Sequence, residues 1–153
     1  MKNTTLCYIE NCGAYLMMHR TKKINDENHD KWIGIGGKLE CGETPHECAR
    51  REIYEETGLN ADTIFYRGII TFVSDLYGTE YMHLFTCNSY SGVLKRDCDE
   101  GELVWVEKNK IYELPIWEGD KIFLKLLDEE KRFFSLKLVY EGDKLISHSL
   151  EYR

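Results

Sequence analysis

The sequence predicts an α+β fold, an α/β/α sandwich around a central mixed β-sheet. Segments with strand character outnumber helical ones, and they flank the helices on both sides in the sequence. The 153 residues fit one domain with a substantial core, and no low-complexity linker divides them.

The elements follow in order. Thr5–Glu10 and Tyr15–Arg20 read as strands joined at Asn11-Cys12-Gly13. Thr21–Lys31 is polar and reads as a mobile loop, and the glycine-rich stretch Trp32–Gly42 is expected to be irregular. Thr44–Thr57 is a helix. Thr63–Ser74 and Thr79–Ser89 are rich in β-branched and aromatic residues and turn at Asp75–Gly78. Ser91–Asp99 is a polar loop, and Glu102–Glu107 a strand. Gly119–Lys131 has helical spacing, with Ile122, Phe123, Leu126 and Leu127 on one face. Phe133–Tyr140 and Lys144–Tyr152 form a last hairpin around Gly142-Asp143. The tetrapeptide Glu-Gly-Asp-Lys recurs at 118–121 and 141–144, but its flanks differ, so no structural repeat is implied.

Composition narrows the function. The chain carries a net charge of −7, which argues against a nucleic-acid polymer as partner, because backbone binding needs a basic face. It does not exclude a phosphorylated small molecule, since carboxylates can hold a phosphate through an intervening cation. No apolar run approaches the roughly 20 residues of a membrane helix. Met1–Glu10 does not read as a secretory signal, so no membrane partner and a cytoplasmic location are expected. The six cysteines include no C-x-x-C pair and do not cluster with histidines, so six reduced thiols are expected.

The segment that carries chemistry is Gly37–Leu59, GKLECGETPHECARREIYEETGL. It fits G-x5-E-x7-R-E-U-x-E-E-x-G-U, with U bulky and aliphatic, at Gly37, Glu43, Arg51, Glu52, Glu55, Glu56 and Gly58, with Ile53 and Leu59 in the aliphatic places. Chance agreement at one start is on the order of 10⁻⁸ or rarer. Thr44 as N-cap, Pro45 at the first helical position and Glu47 completing a capping box begin the helix, and Gly58 ends it. At about 100° per residue, Glu56 lies about 40° to one side of Glu52 and Glu55 about 60° to the other. Three carboxylates thus share one arc, a repulsive arrangement that a divalent cation relieves. Oxygen-only ligands favour Mg²⁺, with Mn²⁺ as a substitute, over zinc. Arg51 is expected to orient a glutamate of this set.

This segment resembles the Nudix box, with every position filled. The resemblance implies the Nudix fold and hydrolysis of a nucleoside diphosphate linked to another group. It implies Glu52, Glu55 and Glu56 as metal ligands and catalytic groups with Arg51 beside them, the Gly36 carbonyl as a further ligand, and Glu52 as the expected general base. Outside the box the chain is most similar to MutT-like pyrophosphatases of oxidised purine nucleoside triphosphates such as 8-oxo-dGTP. That likeness rests on Trp32 before Gly-x-Gly-Gly-Lys and on Leu114–Asp120, a Leu-Pro-x-Trp-x-x-Asp stretch. It implies a base stacked on Trp117, a base edge bonded by Asp120, phosphate contact by Lys38, nucleotide contact by Arg20 and an additional metal ligand at Glu100. Two positions depart: Ile33 stands where Asn is frequent, and Gly119 where some members carry an acid. ADP-ribose and dinucleoside polyphosphate hydrolases fit less well, lacking their proline and tyrosine here. A catalytically silent nucleotide sensor is expected to lose box glutamates, and none is lost. The motifs do not fix which of Glu52, Glu55, Glu56 and Glu100 is the general base, which nucleotide base is bound and whether it is oxidised, which phosphorus is attacked, or the oligomeric state.

Overall fold

The computed structural model describes residues 2–22 and 26–153. In chain order these form β1 (Lys2–Asn11), β2 (Ala14–Arg20), β3 (Trp32–Ile33), α1 (Pro45–Thr57), β4 (Leu59–Ala61), β5 (Ile64–Ser74) and β6 (Gly78–Cys87). There follow β7 (Tyr90–Gly92), β8 (Asp97–Cys98), β9 (Gly101–Glu107), a 3-10 turn (Lys108–Glu113), α2 (Glu118–Glu129), β10 (Phe134–Glu141) and β11 (Lys144–Tyr152). The main sheet runs β11-β10-β5-β6-β1-β2-β9-β8, with β3 attached to β2, while β4 and β7 pair separately. It is mixed as expected: β1 with β6 and β5 with β10 are parallel, and neighbours such as β2 and β9 are antiparallel.

Alternation along the strands builds two cores, because successive side chains point to opposite faces. Leu6 and Tyr8 of β1 join Tyr15 and Met17 of β2 on one face, beneath Phe123, Leu124 and Leu127 of α2. Cys7, Ile9, Leu16 and Met18 face the other way, beneath Ala49 and Ile53 of α1. The result is the α/β/α sandwich.

The site owes its place to a fork in this sheet. β1 and β2 pair only beside their turn, at Glu10↔Tyr15 and Asn11↔Ala14. Farther along, β2 pairs with β3, whereas β1 pairs with the glycine-rich loop through Thr4↔Lys38 and Cys7↔Ile35. The loop wedges the strands apart and runs on into α1.

Some expectations are corrected. The loop expected at Ser91–Asp99 contains β8 and most of β7, and β4 was not legible: strands of two or three residues carry too little periodicity to show. On α2 the buried stripe is Asp120, Phe123, Leu124 and Leu127, with Ile122 and Leu126 at its edge. These four follow helical i, i+3, i+4, i+7 spacing, and the charge of Asp120 concealed the stripe. Of the loop expected at Thr21–Lys31, Lys23–Asn25 lie outside the described residues. Its remainder is tied down, with Asp30 N donating to Arg20 O and Lys2 Nζ paired to Glu27 at 3.3 Å. The repeated tetrapeptide opens α2 at one copy and turns the last hairpin at the other. All six cysteines are free thiols. Among the described residues no helix is long and apolar enough to cross a membrane.

Candidate active site

The α1 signals are realised. Thr44 Oγ1 accepts from Glu47 N at 3.0 Å, and Glu47 Oε1 accepts from Thr44 N at 2.9 Å. Gly58 ends the helix at φ 81°, in the left-handed region, with its N–H on Tyr54 O. With Ala49 and Ile53 docked on the sheet, Glu52 and Glu56 turn into a cleft of about 1060 Å³. Gly36, Lys38, Arg20 and Glu100 line the same cleft. The carbonyls of Ile35 and Gly37 accept from Cys7 N and Thr5 N of β1. The intervening Gly36 carbonyl therefore turns away from β1 by strand alternation.

Arg51 organises the carboxylates. Its Nε donates to Glu43 at 2.7 Å, its Nη1 to Glu52 at 2.6 Å and Glu55 at 3.1 Å, and its Nη2 to the Lys38 carbonyl at 3.0 Å. The hydrogen bond to Arg51 holds the Glu43 carboxyl down at about 2. Glu43 and the Lys38 carbonyl, from before the helix, thus meet Glu52 and Glu55 of the helix on one guanidinium. Glu55 is exposed and lies off the cleft lining, which separates it from Glu52 and Glu56.

Glu56 is the most perturbed carboxyl of the cleft. Burial, then a hydrogen bond with Glu100 and the charges of Glu100 and Glu52, pushes it up to about 10. Its Oε2 is buried without a partner. Glu52 is also raised, mainly by burial and against the pull of Arg51. Among the described residues no three His, Cys, Asp or Glu side chains already converge as a ligand set. Arg51 draws Glu52 toward itself, and Arg20 holds Glu100 through Nη1 at 3.2 Å. The donors fit a divalent cation nonetheless. They are all oxygens, they repel one another, and one buried oxygen is unsatisfied.

Arg20 lines the cleft, and its guanidinium is engaged by Glu100 and, through Nε at 2.7 Å, by Asp26. Lys38 is exposed at the cleft. Trp117 and Asp120 line a smaller chamber of about 70 Å³. Leu6, Glu27, Asn28, Ile33, Glu80 and Met82 line both spaces, so the chamber is an inner annex of the cleft. Trp117 is also a core residue, 5% exposed, edge-on to Phe72 and Tyr140, with Lys31 Nζ 4.7 Å from its ring centroid. Asp120 is buried, and loss of hydration raises its carboxyl to about 8, against the pull of Lys31. Asn28 and Glu80 were not singled out from sequence. The first lies in a polar loop and the second in a strand, and only the chain path brings them to the chamber.

The description of the NUDIX domain matches residues 2–127. The chain is 36% identical over 124 residues to the oxidized purine nucleoside triphosphate hydrolase of Danio rerio, across 79% of this chain and 78% of the relative. It is 30% identical over 123 residues to the Mus musculus protein of the same name, across 78% and 77%. Among solved structures, the MutT protein from Bacillus halodurans matches at a TM-score of 0.88 and 26% identity, across 99% of this chain and 98% of that one.

Proposed function

The chain belongs to the NUDIX family and is a Nudix hydrolase, and on that premise we propose that it hydrolyses an oxidised purine nucleoside triphosphate such as 8-oxo-dGTP to the monophosphate and pyrophosphate, with Mg²⁺ as its cation and Mn²⁺ as a substitute. The observation that carries this reading is the continuity of the two spaces. The carboxylate cleft opens directly into the chamber lined by Trp117 and Asp120, so one ligand can place phosphates in the first and a base in the second. The named relatives from fish and mouse favour the same substrate class.

In this reading the carboxylates of Glu52, Glu56 and Glu100 and the Gly36 carbonyl hold the cation. When bound, it neutralises phosphate charge and lowers the pKa of a coordinated water. Glu52 accepts the proton of the attacking water; its burial moves it toward the range in which a carboxylate is an effective base. Arg51 is a positioning residue that sets the Glu52 rotamer, and Arg20 does the same for Glu100. Lys38 meets a phosphate from the glycine loop. Ile33 and Trp117 wall the base, and Asp120 meets its edge.

The test is a substrate panel on the purified protein with Mg²⁺, comprising ordinary and oxidised purine and pyrimidine triphosphates, ADP-ribose and dinucleoside polyphosphates. The expected result is the highest kcat/KM on an oxidised purine triphosphate. A preference for ADP-ribose or a dinucleoside polyphosphate overturns the substrate assignment.

A further inference from the structure

Two positions where a base-reading side chain could stand carry none, Ile33 in the chamber wall and Gly119 beside Asp120 in the first turn of α2. Ile33 has no hydrogen-bonding group. Gly119 has no room for a side chain, because a Cβ there would lie 2.5 Å from Leu138 Cδ1 and 2.7 Å from the Tyr140 hydroxyl. The polar side chains lining the chamber are Glu27, Asn28, Glu80 and Asp120. Glu27 is paired with Lys2 Nζ at 3.3 Å. Glu80 accepts from Thr4 Oγ1 at 2.7 Å and lies 3.7 Å from the same lysine.

Asn28 is set differently. Its Oδ1 accepts from Trp117 Nε1 at 2.8 Å. An indole nitrogen donates only, so the atom facing it must be the amide oxygen, and the carboxamide cannot flip without losing that bond. The oxygen is therefore spent on the chamber wall. The amide nitrogen carries two N–H donors that have no hydrogen-bond partner among the described residues. A half-buried side chain lining both chamber and cleft, anchored by its oxygen and with its N–H donors left for another partner, is placed to bond a ligand.

We infer that Asn28 is a base-reading residue: its amide nitrogen donates to an acceptor on the base edge and selects a 6-oxopurine over a 6-aminopurine triphosphate. The inference rests on the purine triphosphate reading above and goes beyond it by naming the residue and the edge. A 6-oxopurine places a carbonyl acceptor where a 6-aminopurine places a donor. A fixed N–H donor meets the first with a hydrogen bond and the second with two opposed donors.

The discriminating substitution is Asn28→Asp. It keeps an oxygen for Trp117 Nε1 and replaces the donors by an acceptor. The substrate pair is dITP and dATP, which carry no difference outside the base edge formed by position 6 and its ring neighbour; 8-oxo-dGTP and 8-oxo-dATP form a second pair. The wild-type protein is expected to favour the 6-oxo member of each pair by about tenfold or more in kcat/KM, the worth of one well-placed hydrogen bond. Asn28→Asp is expected to lower that ratio by about tenfold or more while turnover of the 6-amino member persists. Trp117→Phe frees the carboxamide to flip and is expected to narrow the ratio too. A ratio unchanged in Asn28→Asp overturns the inference and leaves Asn28 as an anchor for its loop, with the purine triphosphate reading intact. A wild-type protein that turns over no purine triphosphate, but cleaves another diphosphate, overturns both.

Discussion

A Cβ on Gly37 would lie 2.5 Å from Cδ of Glu52 and 2.7 Å from each of its carboxylate oxygens. The first residue of the box and its central glutamate are therefore in contact, and any side chain at 37 would push the Glu52 carboxylate aside. Gly37→Ala is expected to drive the Glu52 carboxylate from its place beside Arg51 and to lower kcat by about 10²-fold, the cost of a catalytic group misplaced by about an ångström. Steady-state hydrolysis, with a thermal melt to show an intact fold, is the measurement. Wild-type kcat would show that Glu52 can act from another position.

The three box glutamates are expected to separate. Glu52→Gln and Glu56→Gln should each lower kcat by about 10²-fold or more, as loss of a base or a metal ligand does. Glu55 is exposed and away from the cleft, so Glu55→Gln should cost less, within about tenfold. Activity should require Mg²⁺ or Mn²⁺ and vanish in excess chelator. Equal losses for all three glutamates would mean that Glu55 moves into the cleft when the site is loaded.

Asp120 should leave a signature in stability against pH. Its folded carboxyl stands at about 8, above an unfolded value near 3.8, so folding favours the protonated form. The contribution is complete below pH about 4, falls through the window between about 4 and 8, and is lost above it. Its slope there approaches about 1.4 kcal/mol per pH unit, one proton's worth. Asp120→Asn should flatten this slope and be the more stable protein at pH 8. Urea unfolding at pH 5, 6.5 and 8 measures it, and parallel curves for the two proteins would place an ionised Asp120 in the fold.

Gly119 donates its N–H to the Tyr140 hydroxyl at 2.6 Å, with Leu138 closing the remaining space. Gly119→Ala should cost about 1–3 kcal/mol by overpacking, and Gly119→Asp more, since it also buries a charge. An unfolding midpoint unchanged in Gly119→Ala would show that the β10 side chains give way freely.

What the linear chain determined by itself is local. Thr44, Pro45, Glu47 and Gly58 begin and end α1 through contacts within a few residues, and the helical repeat alone puts Glu52 and Glu56 on one side. The box spacing pointed to the family on the same footing, and the strand pattern to the sandwich. What only the tertiary structure decided depends on contacts between distant segments. The fork between β1 and β2 moves the glycine loop against β1, which turns the Gly36 carbonyl aside and brings the Lys38 carbonyl and Glu43 onto Arg51, beside its helix neighbours Glu52 and Glu55. The same chain path carries Asn28, from a loop without periodicity, to Trp117. It also buries Asp120 in the core-facing stripe of α2. Periodicity reports which face of an element is apolar. It cannot report which distant partner meets that face, because a polar side chain bonded across the fold and one bonded to water look alike in sequence.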